Sequence, residues 1–445
     1  MTAEKNINTS SRASAAALIP FLVFIVFYFG LSISVNDFYK VSMIIAFVIA
    51  SAVALCLNRR CKLNDKIDIY AKGMGNDNIM VMGLIFILAG IFTAAVKGTG
   101  AVDSVIVIAR NFIPQNLFLA GIFIVSCLIS LAMGTSCGTI AAVSPIAVGL
   151  IGPLHIDPAM MIGAVVGGAM FGDNLSVISD TTIIATRTQG VKMRDKFLTN
   201  IRIVVPAVMI TVIIYLCAGQ GTFSDTAPAA TLKDYLSAAP YIAILILAIA
   251  GVNVMALLFA GTVIACVIGL SLGSFDFWGA LDLCGKGALG MSETLIVAML
   301  VGGMLSIIRH NGGIDYILEK ISHRISSPKG CEFGIFLLVA VIDFFTANNT
   351  VTLVITGPIA KDLSQKFKCN PKRIASILDT ASCTVQGIIP YGAQILIAAG
   401  IAQTAGIAEI PASSLIADMY YPLFIGISTL FYIAVPVKNN KNAAF

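Results

Sequence analysis

Apolar stretches recur from one end of the chain to the other, at about 15–34, 41–57, 78–96, 117–152, 158–185, 201–217, 240–250, 254–272, 291–308, 332–363, 371–404 and 416–436. Crossing a bilayer as a helix takes roughly 20 such residues. Three runs are too long for one ordinary crossing and carry Gly, Asn or Pro in the middle: 117–152, 332–363 and 371–404. The first two predict re-entrant helical hairpins that enter and leave on one face. The third, like 158–185, predicts a crossing with an unwound centre. Backbone that is not helical survives at membrane depth only where protein or water satisfies it. The pattern therefore reads as an all-α polytopic membrane protein with two re-entrant hairpins and two broken transmembrane helices.

The broken regions read as copies of each other. A shift of 213 residues lays Gly121-Ile122-Phe123 on Gly334-Ile335-Phe336 and Pro145-Ile146-Ala147 on Pro358-Ile359-Ala360. The same register puts Thr139 on Thr352 and Pro158 on Pro371, and Lys72-Gly73 meets Lys286-Gly287 at 214. One transmembrane domain built from repeats at about 17–217 and 238–436 is the expectation.

Charge sets the sides. The loop Gly152–Asp157 holds no Lys or Arg, whereas its counterpart holds Lys361, Lys366, Lys368, Lys372 and Arg373. After the broken helices the bias reverses: Arg187, Lys192, Arg194 and Lys196 follow the first, and 405–415 has no basic residue. Basic loops stay cytoplasmic, so equivalent loops fall on opposite faces and the repeats read as inverted. With both termini inside, 23 of the 28 Lys and Arg are cytoplasmic, leaving Lys40, Lys97, Arg110, Lys233 and Lys286 outside. Inverted repeats whose discontinuous helices meet near the midplane characterise secondary transporters.

Composition agrees. Of 445 residues 58% are hydrophobic and 11% charged, against roughly 25% charged in soluble domains, so no sizeable soluble domain is expected. The polar Met1–Ser14 lacks a small-residue cleavage site after the first apolar run, and Ala15–Ser34 reads as a retained span. The net charge of +5 falls in short loops and implies topology rather than nucleic acid. Ten scattered cysteines without a Cys-x-x-Cys pair read as reduced packing residues. No phosphate-binding loop is present, since Lys97-Gly98-Thr99-Gly100 lacks the spacing, and His155, His310 and His323 lack metal-ligand spacing. No enzyme and no bound cofactor is expected.

The chemistry gathers at the breaks. Gly172-Asp173-Asn174-Leu175-Ser176-Val177-Ile178-Ser179-Asp180-Thr181-Thr182 sets two acids, an amide and four hydroxyls in a membrane run. A carboxylate at that depth costs about 2.5–3.5 kcal/mol on insertion scales and marks an ion or substrate path. Asp173, Asn174, Ser176, Ser179, Asp180 and Thr181 are candidate ligands; Asp180 also suits an N-cap for a half-helix beginning at Thr181. The first hairpin tip, Gly134-Thr135-Ser136-Cys137-Gly138-Thr139, offers Thr135 and Ser136 as hard oxygen ligands, unless they only satisfy the turn. Cys137 has no nearby histidine to activate it as a nucleophile. The second tip offers Asn348, Asn349 and Thr350, whose alternative role is tying the hairpin ends together. Asp343 and Asp379, each in an apolar helix, are proton-coupling candidates with Asp173 and Asp180. The second break, Gln386-Gly387-Ile388-Ile389-Pro390-Tyr391-Gly392, lacks acids, so negative charge concentrates in the first repeat. Glu293, Asp103 and Asp315 read as helix-end residues.

At these residues the chain resembles the NhaC family of Na⁺/H⁺ antiporters, within the broader ion-transporter superfamily. Gly172 through Thr182 is similar to that family's Gly-Asp-x-x-Ser-Pro-x-Ser-Asp-Thr-Thr, and the first tip to its Gly-Thr-Ser-Trp-Gly-Thr. Val177 stands where the family often has Pro, and Cys137 where it often has Trp. The resemblance implies exchange of cytoplasmic Na⁺ for external H⁺ in the inner (plasma) membrane. Asp173 and Asp180 would be the ligands of the transported Na⁺, taking Na⁺ or H⁺ but not both. The alternative is a Na⁺-coupled transporter or exchanger of a small carboxylate or amino acid, as some relatives are. Half-helix N-termini favour anions, but no span centre is expected to hold a Lys or Arg to pair with one. The expected partners are Na⁺, H⁺ and the lipid bilayer, with the organic solute under the alternative and no nucleic acid; a homodimer stays open.

Overall fold

The computed structural model describes residues 13–35, 41–58, 61–112, 114, 117–176, 179–218, 230–407 and 410–435. The expectations for Met1 to Arg12, Lys40, Val177 and the C-terminal tail fall outside them. Every regular element among the described residues is helical, and six helical segments are long and apolar enough to cross a membrane. The chain is a multi-pass membrane protein.

Contacts divide it into two units, Met1–Ile79 with Met299–Ile325, and Met80–Ala298 with Ser326–Phe445. In the first unit an apolar segment, Ala15–Gly30, lies against Met43–Cys56, with the Phe24 and Phe47 rings stacked 3.9 Å apart. Helix Leu63–Met74 was not expected as an element, because its apolar positions are interleaved with Asp65, Lys66 and Asp68. Lys66 is buried there and donates to the carbonyls of Leu55 (2.8 Å) and Leu57 (2.5 Å), satisfying the end of the preceding helix. A Cβ on Gly73 would lie 2.6 Å from the Gly302 carbonyl, so the two backbones touch.

The second unit holds both long interrupted pairs. The run at 117–152 is a hairpin of Phe118–Met133 and Ser136–Leu154; the run at 332–363 is a hairpin of Pro328–Thr346 and Asn349–Lys366. The chain turns at Gly134 (φ 68°) and at Ala347 (φ 47°). The broken helices are Pro158–Leu175 with Asp180–Gln189, and Pro371–Gln386 with Ala393–Thr404. Each opens on a proline at its first helical position behind a side-chain cap. Asp157 accepts from Ala159 N (2.8 Å) and Asn370 from Lys372 N (3.0 Å); the missing proline N–H costs nothing there. Helix Leu232–Ile249 starts ahead of the apolar run at 240–250, because Thr231 and Asp234 form a capping box.

Glycines bring the first hairpin onto the first broken helix. A Cβ on Gly168 would lie 2.5 Å from the Phe123 carbonyl, and one on Gly172 would lie 2.2 Å from Ser130 Cβ. This i, i+4 pair of small residues lets helices approach where no hydrophobic force drives them together. The second arms cross over. Asn349–Lys366 packs on Asp180–Gln189, with Gln189 Nε2 on the Gly357 carbonyl at 2.9 Å. Ser136–Leu154 packs on Ala393–Thr404, with Gln394 Nε2 on Ser136 Oγ at 3.1 Å.

Left-handed backbone recurs at matched places among the described residues. Asn58 and Gly273, Gly100 and Gly312, Gly134 and Ala347, His155 and Lys368, and Gly190 and Gly406 all have positive φ, 212 to 216 residues apart. The Gly73–Gly302 approach also has a counterpart, since a Cβ on Gly287 would lie 2.4 Å from the Gly90 carbonyl.

Candidate ion-binding site

Asp173 lies in the last turn of a helix whose residues from Ala159 onward are almost all buried, and it is 4% exposed. The helix stops at Leu175 and resumes at Asp180. Oδ2 accepts from Ser136 Oγ (2.9 Å) and Asn349 Nδ2 (3.2 Å), one donor from each hairpin tip. Oδ1 accepts from Ser179 Oγ, which also pairs with Thr181 Oγ1 at 2.8 Å. Asp173 has no ion-pair partner among the described residues. It is a buried acid met by neutral donors on three sides.

The donor chain continues into the second break. Gln394 Nε2 donates to Ser136 Oγ (3.1 Å), and Gln386 Nε2 donates to Gln394 Oε1 (2.6 Å) and to the Ala347 carbonyl (2.9 Å). From Gln386 through Gln394 and Ser136 each bond points its donor towards Asp173, and aligned bonds in a low-dielectric interior polarise one another.

The other candidates separate. Ser176 donates to the Leu131 carbonyl. Asn174 holds its neighbours through its backbone, as described below. Thr135 and Asn348 occupy the N-cap positions of the two second arms; the Asn348 side chain accepts from Val351 N at 3.0 Å, and the Thr135 carbonyl from Thr139 Oγ1 at 2.9 Å. Thr350 donates its backbone N–H to Asn349 Oδ1. Of the five tip residues, Ser136 and Asn349 reach Asp173.

Asp180 is where sequence reading and structure part. It is exposed, outside the hydrogen-bonded cluster, and it is the first helical residue, with Ser179 at the N-cap position. Helical residues step round the axis by roughly 100°. With Ser179 aimed at Asp173, the next side chain must leave that direction. Asp343 is fully buried behind the second tip. Its Oδ1 accepts from Thr352 Oγ1 (2.9 Å), itself 2.6 Å from Thr346 Oγ1, while its Oδ2 has no hydrogen-bond partner among the described residues.

Asp379 corrects a further expectation, that no basic residue reaches the span centres. Lys196, counted from sequence among the loop cations, is 1% exposed and its Nζ lies 2.5 Å from Asp379 Oδ2. It also donates to the Asn174 carbonyl (2.6 Å) and Thr182 Oγ1 (2.7 Å). Asn200, one turn on, donates to that carbonyl (2.9 Å) and to Asp379 Oδ2 (3.1 Å). Arg373 is a second loop cation that the structure buries, in a bidentate pair with Glu332 at 2.7 Å and 2.7 Å beside the Tyr432 ring. The charge bias does not depend on these residues, because Arg187, Lys192 and Arg194 and also Lys361, Lys366, Lys368 and Lys372 remain. Lys196, Asn200, Gln386 and Gln394 were missing from the sequence-derived ligand set. For Lys196 and Asn200 the signal was register: 196, 200, 203, 204, 207, 211 and 215 form one buried face of Met193–Ala218.

A model of the Na⁺/H⁺ antiporter family matches residues 4–220 and 226–434. Among characterised relatives, the chain is similar to the Na⁺/H⁺ antiporter NhaC of Alkalihalophilus pseudofirmus, at 24% identity over 69% of this chain and 73% of that one. It is similar to NhaC of Bacillus subtilis at 25% identity, covering 79% and 84%. It is similar too to the malate-2H⁺/Na⁺-lactate antiporter of Bacillus subtilis, at 22% identity, covering 84% and 86%.

Proposed function

The chain belongs to the Na⁺/H⁺ antiporter family and is a secondary active transporter, and from that premise we propose that it exchanges cytoplasmic Na⁺ for external H⁺ at Asp173. The observation that carries the reading is a buried carboxylate that accepts from Ser136, Ser179 and Asn349 and has no cation beside it among the described residues. Burial penalises the ionised carboxylate, whereas a bound cation favours it. One group therefore takes either H⁺ or Na⁺, and each must leave before the other enters. Ser136, Ser179, Thr181 and the Asn349 amide complete the Na⁺ shell with hydroxyl and carbonyl oxygens. Asp343 serves proton movement rather than Na⁺ coordination, being walled in behind the tip.

The halves act as inverted repeats, with both termini cytoplasmic. Support comes from the paired left-handed residues, the matched glycine contacts and the reversed loop charge. In this reading the crossed-over arms let one half rock against the other, so that Asp173 faces each side in turn.

Exchange of a small carboxylate or amino acid is the weaker reading, because the two buried cations of the second unit are already paired with acids: Lys196 with Asp379 and Arg373 with Glu332. Proteoliposomes carrying a Na⁺ gradient test the choice. Asp173→Asn should abolish Na⁺-driven proton flux while the protein stays monodisperse. Full flux in that variant, or counterflow of malate, lactate or an amino acid without proton movement by Na⁺ alone, would overturn the proposal.

A further inference from the structure

Lys196 sits in a cage built for a cation. An ammonium has three N–H donors and no acceptor, and all three are taken, by the Asn174 carbonyl, Thr182 Oγ1 and Asp379 Oδ2, at 2.5–2.7 Å. These oxygens come from the end of one half-helix, the first turn of the next, and the second broken helix. Three further oxygens of the same cluster are buried without a donor among the described residues: Asn174 Oδ1, Asn200 Oδ1 and Asp379 Oδ1. Unused acceptors in a native interior call for an explanation. An ammonium is limited to its three directed bonds, whereas a spherical cation takes oxygens from any side. The residues that hold the ammonium thus keep buried acceptors that its three bonds do not use.

We propose that Lys196 is a tethered cation, a positioning residue that occupies a second monovalent-cation site and fixes the Na⁺ bound per molecule at one. Asp173 and Asp379 are both buried acids; Lys196 neutralises the second and leaves the first to the transported ion. Because the ammonium spans Asn174 and Thr182, it also holds the first break at the width that presents Asp173 to Ser136 and Asn349. The count of one rests on the proposed Na⁺ site at Asp173, whereas the cage itself does not.

The test counts radioactive Na⁺ bound at saturation to purified protein. Wild type and Lys196→Arg should bind one Na⁺ and Lys196→Ala two. Propylammonium, which restores the missing end of the side chain, should displace one of the two. Removing a single partner of a buried pair strands the other charge, so the neutral double variant Lys196→Ala with Asp379→Asn guards against failure to fold. It should bind one Na⁺ with an affinity within about threefold of wild type, the drift expected when both charges go together. Equal counts in wild type and Lys196→Ala, an effect of propylammonium on wild type as large as on the variant, or loss of all Na⁺ binding in the double variant would overturn the inference. A wild type that binds none beside a Lys196→Ala that binds one would remove the Asp173 reading and leave this one standing.

Discussion

Replacing Asp180 by Asn should leave exchange within about threefold of wild type, the range of an exposed substitution. Replacing its neighbour in the sequence cluster, Asp173, should remove exchange altogether. Side-by-side proton flux measurements check the contrast. Equal loss in both would bring Asp180 back into the site. Ser136→Ala and Asn349→Ala each delete one donor to a buried charge, an interaction worth about 1.5–3 kcal/mol, so Na⁺ affinity should fall about 10- to 100-fold in titrations of the purified protein. The burial of Asp173 was legible because it is an acid inside a long apolar run, a placement that marks candidate sites. Asp180 lies apart from Asp173 because neighbours in sequence point apart once a helix starts between them. Lys196 was hidden for another reason: beside Arg187, Lys192 and Arg194 it resembles a loop cation, and only the 3.6-residue face of the following helix shows that it turns inward.

Interrupted runs with Gly, Asn or Pro at the centre announced the hairpins and breaks at the scale of elements, since such backbone needs a partner wherever it lies. The amphipathic helices Leu63–Met74 and Phe277–Gly290 left no such mark, because neither has a continuous apolar run. Two substitutions probe the turns and contacts. Ala347 adopts a left-handed conformation that glycine takes freely, at a cost of about 1–2 kcal/mol for a residue with a Cβ. Ala347→Gly should therefore stabilise the protein, read as a rise in midpoint temperature. Gly172→Ala places a carbon where Ser130 already sits. It should destabilise by about 1–3 kcal/mol, as overpacking does, and displace Asp173 enough to weaken Na⁺ binding; unchanged melting and binding would show that the helices can part without consequence.

The charge pattern makes a prediction about sides at the scale of the whole molecule. His155 and Lys368 are both exposed and both left-handed, 213 residues apart. Cysteine placed at 155 should react with an impermeant thiol reagent from outside, and cysteine at 368 only after the membrane is opened. Labelling of both from one side would mean that the halves are parallel.

The crossed-over arms also govern how the protein is made. The carbonyl of Gly357 answers Gln189, and the amide of Gln394 answers Ser136. A ribosome adding about 5–20 residues per second therefore inserts the first half some 10–50 s before its polar partners exist. Through that interval the nascent half must be sheltered, by the insertion machinery or by its own misfolded contacts. A polypeptide divided between the halves should recover function only when both pieces are made together.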